Sequence, residues 1–472
     1  MKEKILPFII GILVGAIIAT TGFLFYSKTV SNNSERPEMM QMNGDGQKGE
    51  QPGSMGEPPE KPNGKNGEQP PTKSSTIEYS GATEITEAAT IETKEYLSEK
   101  ADENAILVSG DIEATLSNIS VNKTGDSNGG DSTSFYGTNS GIVAKSSANL
   151  ILKNITVTTN ATGANGVFSY GGSATTNNTS SDGTTITITD SNITTTKDNS
   201  GGIMATGGGT INASNLTVNT AGVSSAAIRT DRGGGNVSVN GGTYTTTGAG
   251  SPAIYSTANV NVNDATLVAK TSEGIIIEGK NTVTINNCNL TDSNTKLNGL
   301  STTYKNIFLY QSMSGDADTG NAEFTANNST ITTNNGDSFY ITNTSSTINL
   351  TNNTIINNDA NGNFLRAKAD SWGKEGSNGG DVTLILKNQS VIGNIVIDAV
   401  SKLNMTINTN SYYEGTINAD NTANNIVLKL DNSSKIKLTG DSYITSLETD
   451  DPTYSNIDFN GYKLYVKGVA IN

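Results

Sequence analysis

The chain has 472 residues, of which 33% are hydrophobic and 6% aromatic, with 51 glycines; this is too little bulky apolar material for a compact multi-domain globule of that length and points to a thin, repetitive core. A formal net charge of −15 and a pI near 4.6 give an average surface that repels nucleic acid. Histidine is absent, which excludes His general bases, Ser/His and Cys/His nucleophile systems and His-ligated zinc, so any chemistry falls to carboxylates, Lys, Arg or Tyr.

The first thirty residues are MKEKILPFIIGILVGAIIATTGFLFYSKTV, and the uncharged run from Ile5 to Tyr26 would be about 33 Å long as a helix, enough to span a bilayer. It lacks the short apolar core and small-residue cleavage site of a secretory signal, so residues 1–30 read as an uncleaved signal-anchor. Lys2 and Lys4 precede it, which by the positive-inside rule puts the N-terminus in the cytoplasm and the rest of the chain at the cell surface. Residues 31–75, rich in Pro, Gly and charge, read as a disordered stalk. Residues 76–106, which include ATIETKEYLSEKADEN, read as an N-terminal cap region.

From 107 to 400 the sequence repeats. The unit is apolar, any, apolar, any, Asn or Asp, any, any, apolar, as in LILKNITV, ITITDSNI, VNVNDATL and INLTNNTI. Its fifth position in ten copies is Asn118, Asn154, Asp190, Asn215, Gly241, Asp264, Asn287, Asn328, Asn352 and Asn388. Asn, Asp and Gly are the residues that best tolerate a left-handed backbone at a sharp corner. Alternation before the corner is a strand, and stacked copies would bring the corner amides into a ladder. A second strand appears in each coil, anchored by Ile142, Val167, Ile203, Ile228, Ile254, Ile275, Ile307, Phe339 and Leu365, an apolar column without charge. Coils of roughly 21 to 26 residues, some lengthened by a loop, describe a solenoid whose repeats bury surface only against each other. Cys288, the single cysteine, reads as a small buried filler. Residues 401–472 read as terminal coils and a C-terminal cap that covers the open edge.

The expected fold class is therefore all-β: a right-handed single-stranded parallel β-helix with an Asn ladder, preceded by one transmembrane helix. Over about residues 105 to 400 this coil template resembles the pectate-lyase-like β-helix superfamily and the adhesin-like surface proteins of bacteria and archaea that share it. The resemblance implies fold; it brings no catalytic motif of a named enzyme family.

With the anchors inward, the next residue of each copy would face solvent: Val143, Phe168, Met204, Arg229, Tyr255, Ile276, Phe308, Tyr340 and Arg366. Two residues on, Lys145, Tyr170, Thr206, Asp231, Thr257, Glu278, Tyr310, Thr342 and Lys368 form a parallel column. Loops that lengthen the coils follow this strand, after Tyr170, Tyr310 and Lys368, and the only tryptophan, Trp372, sits on one of them. The expected ligand face thus comprises Phe168, Tyr170, Arg229, Asp231, Arg232, Tyr255, Glu278, Phe308, Tyr310, Tyr340, Arg366, Lys368 and Trp372. Its rings would stack on sugars and its arginines would grip carboxylates or sulfates; the competing reading is a self-packed aromatic ladder with ordinary surface ion pairs.

Three functions follow. The first is a membrane-anchored surface binding protein or adhesin for a polysaccharide, an anionic one. The second is a polysaccharide lyase or glycoside hydrolase on the same face, with Asp231 and Glu278 about 9.6 Å apart by strand spacing and Arg229 beside them. The resemblance adds that β-helix lyases as a family combine acid-bound calcium with an arginine or lysine base. The third is a structural module that binds protein partners or itself. No cofactor is implied apart from calcium, for which Asp126, Asp131, Asp316, Asp318 and Asp381 are the candidate ligands; their Gly-rich strings serve equally as tight turns.

Overall fold

A computed structural model describes residues 77–127, 130–172 and 181–472, the side chains at 131 and 132 excepted. The anchor (1–30) and stalk (31–75) lie outside the described residues, and no helix among the described residues is long and apolar enough to cross a membrane. Ser74–Asn472 forms one compact unit.

Alternating sequence makes the coils. In Thr185–Thr189 (TITIT) the two isoleucines are buried and the threonines between them are half-exposed, and Asn259–Asn263 (NVNVN) repeats the pattern with valine. β-Branched residues suit such a pleated, half-buried surface. Each typical coil gives one strand to a first sheet and two, joined through a corner, to a second. Among the described residues the first sheet holds twelve strands, from Gly81–Ile85 to Ile395–Ile397, stacked in chain order with every neighbouring pair parallel. The chain is thus a parallel β-helix.

All ten corner residues have positive φ, from 47° at Asn388 to 73° at Gly241. Their side chains form the ladder: Asn154 Nδ2 donates to Asn118 Oδ1 at 2.7 Å, Asn215 to Asp190 at 2.7 Å, Asn287 to Asp264 at 3.2 Å and Asn352 to Asn328 at 2.8 Å. Gly241 interrupts it. The nine anchors pair consecutively in one register, from Ile142 against Val167 to Phe339 against Leu365, and all are fully buried. Each buried aliphatic side chain contributes roughly 1.5–3 kcal/mol, and repetition of the column replaces the large core that the composition cannot supply.

The stack extends beyond residues 107–400 at both ends. Gly81–Ile85, Ala89–Glu92 and Glu95–Ser98 already form a coil that pairs in parallel with the next. Past Val400, Lys402–Asn408, Ile426–Leu430 and Ser446–Thr449 continue the second sheet. At the end Leu464–Val466 turns back to pair antiparallel with Val469–Ala470, which occupies the last edge. A short helix, α1 (Gly130–Tyr136), interrupts the coil before Ile142.

Candidate functional site

The residues after the anchors do lie on the outer side of the first sheet and run in register, Phe168 against Met204, Met204 against Arg229, Arg229 against Tyr255 and Ile276 against Phe308. Most of them do not face solvent, and Arg229, Tyr255 and Arg366 are half-buried. Val143, Phe168, Met204, Phe308 and Tyr340 are buried, and Trp372 is 8% exposed. Two insertions cover them. α1 packs over the early coils: Tyr136 meets Tyr170 edge-on at 5.6 Å, Thr206 Oγ1 donates to the Phe135 carbonyl at 2.7 Å, and Tyr79 Oη donates to the Tyr136 carbonyl at 2.6 Å. Trp372, from the loop after Lys368, lies 5.3 Å from both Phe308 and Tyr310, which stack on each other at 4.4 Å. The covered side chains form two buried clusters, Leu107, Val143, Phe168, Tyr170 and Met204 in one and Ile276, Phe308, Tyr340 and Trp372 in the other. The exposure expected of these rings is therefore corrected: loops long enough to wall a binding face are also long enough to fold down on apolar rings and remove them from water.

The arginines between and beside the clusters are paired. Arg229 Nη2 contacts Asp231 Oδ2 at 2.6 Å, and Arg366 Nε contacts Asp337 Oδ2 at 2.5 Å. Arg232 reaches across 84 residues of sequence to Asp316, with Nη2 at 2.6 Å and Nε at 3.1 Å from Oδ1, while its guanidinium lies 3.9 Å from the centre of the Phe135 ring. It ties α1 to the loop that follows Tyr310. Arg232 is thus an architectural clasp between two insertions.

Asp231 and Glu278 share a column two coils apart, as their registers require. Both are buried, contrary to the expectation of an exposed pair. Glu278 Oε2 accepts from Tyr255 Oη at 2.5 Å and Tyr310 Oη at 2.9 Å, and Oε1 accepts from Ser312 Oγ. Both tyrosines are held far above their usual range, first by burial; the Glu278 charge comes next for Tyr310, and Tyr310 and then Glu278 add to the rise for Tyr255. Burial pushes the Asp231 carboxyl up to about 6 against the opposing pull of Arg229, with Asp316 adding to the rise. Neither acid is open to a substrate in this arrangement.

What remains open lies beside the clusters. After the first-sheet strand, four successive coils turn short, through Gly207-Gly208, Gly233-Gly234, Thr257-Ala258 and Gly279-Lys280, whereas the coils on either side carry the insertions after Tyr170 and Tyr310. The result is a trough with a cavity of about 240 Å³, lined by Ser181, Gly208, Gly233, Gly234, Gly235, Asn236, Thr257, Ala258, Asn259, Lys280, Asn281, Asp316, Ala317 and Asp318. Asn236 and Asn259 are exposed neighbours in register on its floor, and Lys280 is exposed at its end. Positive φ at Gly207, Gly208, Gly233, Gly234 and Gly279 makes these turns tight and leaves no side chain to fill the trough.

Of the residues expected on the ligand face, only Arg232 reaches this trough, through its bond to Asp316. Lys368 is half-buried beside Asp370. The calcium candidates do not gather into one cluster: Asp126 Oδ1 accepts the Thr162 amide at 2.7 Å, Asp316 holds Arg232 and lines the trough together with Asp318 of the same loop, Asp381 lies 3.5 Å from Lys402, and the Asp131 side chain is outside the described residues. Among the described residues no group of three acids is placed to hold a metal ion. Sequence reasoning missed α1 as a cover and the trough-lining Asn236, Asn259, Lys280 and Asn281. The runs GGG at 207–209 and 233–235, directly after the anchor strand, were the available signal for short turns.

Fold and site together define the class: a parallel β-helix with a polar trough between loop insertions on one side of its stack. No protein-family model, curated protein or solved structure matches the chain.

Proposed function

We propose that this chain is a surface protein, held to the membrane by residues 1–30 and displayed on the 31–75 stalk, whose β-helix binds a polysaccharide in the trough. The proposal includes the right-handed winding and the pectate-lyase-like, adhesin-like kinship suggested by the coil template. One observation carries it: four successive short turns, at Gly207-Gly208, Gly233-Gly234, Thr257-Ala258 and Gly279-Lys280, leave two exposed asparagines, Asn236 and Asn259, in register at the spacing of successive strands beside the glycines. With strands about 4.8 Å apart, four turns make a floor roughly 14 Å long, suited to a short stretch of an extended polymer. Amide side chains both donate and accept, which fits a ligand dense in hydroxyl groups. A lyase or hydrolase is the weaker reading, since Glu278 is saturated by three hydroxyls and Asp231 is committed to Arg229.

The test is a glycan array probed with the Ser74–Asn472 unit, with calcium present, alongside the double variant Asn236→Ala/Asn259→Ala. Selective retention that drops at least tenfold in the variant is the expected result. A blank array, or binding indifferent to the two asparagines, would remove the trough as the site.

A further inference from the structure

Resting on that reading, we infer that the polymer is uncharged along the stretch that enters the trough. The sequence alone pointed the other way, because three arginines on one face look like a trap for carboxylates. The structure accounts for each of them. Arg229 and Arg366 are bonded to Asp231 and Asp337, and Arg232 is bonded to Asp316 and stacked on Phe135. At the trough the charges cancel in number: Arg232 meets Asp316, and Lys280 and Asp318, joined through the Lys280 amide and the Asp318 carbonyl at 2.7 Å, add one charge of each sign. No cationic excess is left to balance an incoming acid, and the chain as a whole carries −15.

The backbone offers an anion little either. Glycine-rich turns can present their N–H groups as an anion nest, but four of these amides are committed: Gly207 donates to the Arg232 carbonyl at 3.1 Å, Gly208 to Gly234 at 3.0 Å, Gly234 to Asp231 at 3.0 Å and Gly279 to Tyr310 at 2.9 Å. A carboxylate that recruited Arg232 would draw it away from Asp316 and Phe135 and strand a half-buried carboxylate without its counter-charge. The asparagine oxygens on the floor would then face an acceptor-only group. Hydroxyl or acetamido groups meet neither obstacle, because they donate to those oxygens and accept from the amide N–H groups.

The experiment is affinity electrophoresis of the Ser74–Asn472 unit through native gels that contain a neutral β-glucan, a neutral mannan or polygalacturonate, at matched ionic strength. Retardation by at least one neutral polymer, with polygalacturonate at least tenfold weaker, is the result expected. Asp316→Asn preserves the shape of the Arg232 contact and removes its charge, so this variant should gain retardation by polygalacturonate that disappears in high salt; thermal melting checks that it is folded. Wild-type protein that prefers polygalacturonate, or a folded Asp316→Asn that gains nothing, overturns the inference and leaves polysaccharide binding standing. Retardation by none of the polymers overturns the polysaccharide reading itself.

Discussion

Asp292 is a residue whose replacement should stabilise the protein. It lies in a column of inward residues at the end of the second-sheet strands, in register with Ala269 below and Thr333 above. Elsewhere in this column a threonine hydroxyl donates to a carbonyl five residues on, Thr159 to Ala164 at 2.7 Å, Thr195 to Ser200 at 2.5 Å and Thr220 to Ser225 at 2.5 Å. Asp292 is fully buried, and neither of its carboxyl oxygens has a hydrogen-bond partner in the protein. Burial pushes its carboxyl up to about 9 from an ordinary 3.8, with Glu273 adding to the rise and the Asn294 amide, close by but outside hydrogen-bonding geometry, offsetting part of it. The folded chain therefore keeps Asp292 protonated at neutral pH, whereas the unfolded chain ionises it above 3.8. Folding must take up one proton, at about 1.4 kcal/mol for each pH unit above the unfolded value, or about 4 kcal/mol at pH 7. The sign follows: stability due to this site is fully present below pH 4 and is lost as pH rises towards 9. Asp292→Thr supplies the donor that the column uses elsewhere and removes the proton uptake. Urea unfolding of the Ser74–Asn472 unit at pH 5, 6, 7 and 8, read by circular dichroism, should show the variant's advantage growing by about 1.4 kcal/mol per pH unit. An advantage that stays constant over that range, or a variant that is the less stable form throughout, refutes the reasoning.

At the ladder gap, Gly241 has φ 73° and an added Cβ would meet nothing closer than 3.9 Å, so Gly241→Asn should raise stability by about 0.5 kcal/mol. Gly241→Val, with its branched Cβ in the left-handed region, should lower it by about 2 kcal/mol in the same urea series. Arg366→Ala leaves Asp337, 2% exposed in its side chain, without its cation; a loss of about 2–3 kcal/mol is expected, discounted because Arg366 is itself partly exposed, and Arg366→Met/Asp337→Asn should recover most of it. Arg232→Ala removes the link between α1 and the loop after Tyr310, so amide exchange at residues 311–320 should speed up at least tenfold while exchange in the anchor strands stays the same.

The coils were legible because they obey local rules. A corner that must adopt positive φ admits few residue types, and an inward column admits no charge, so Asn118, Asn154 and Ile275 announce themselves without any knowledge of their neighbours. The outer face was not legible, because what covers it comes from elsewhere in the chain. Phe168 reads as exposed until Tyr79 and Tyr136 are placed against its cluster, and Arg232 reads as a free cation until Asp316, 84 residues away, arrives beside it. Strand parity tells which way a side chain points; it carries no information on whether an insertion folds down over it. The trough was hidden for the complementary reason, being made of short turns and absent side chains that leave only glycine runs in the sequence.

The most direct test of polysaccharide binding in the trough is hydrogen–deuterium exchange of the Ser74–Asn472 unit with and without the neutral β-glucan or mannan that retards it. Binding in the trough predicts slowed exchange confined to residues 207–209, 233–236, 257–259 and 279–281, with the outer surface of the second sheet unchanged. Slowed exchange along the second sheet, or no change at the glycine turns under saturating polymer, contradicts it.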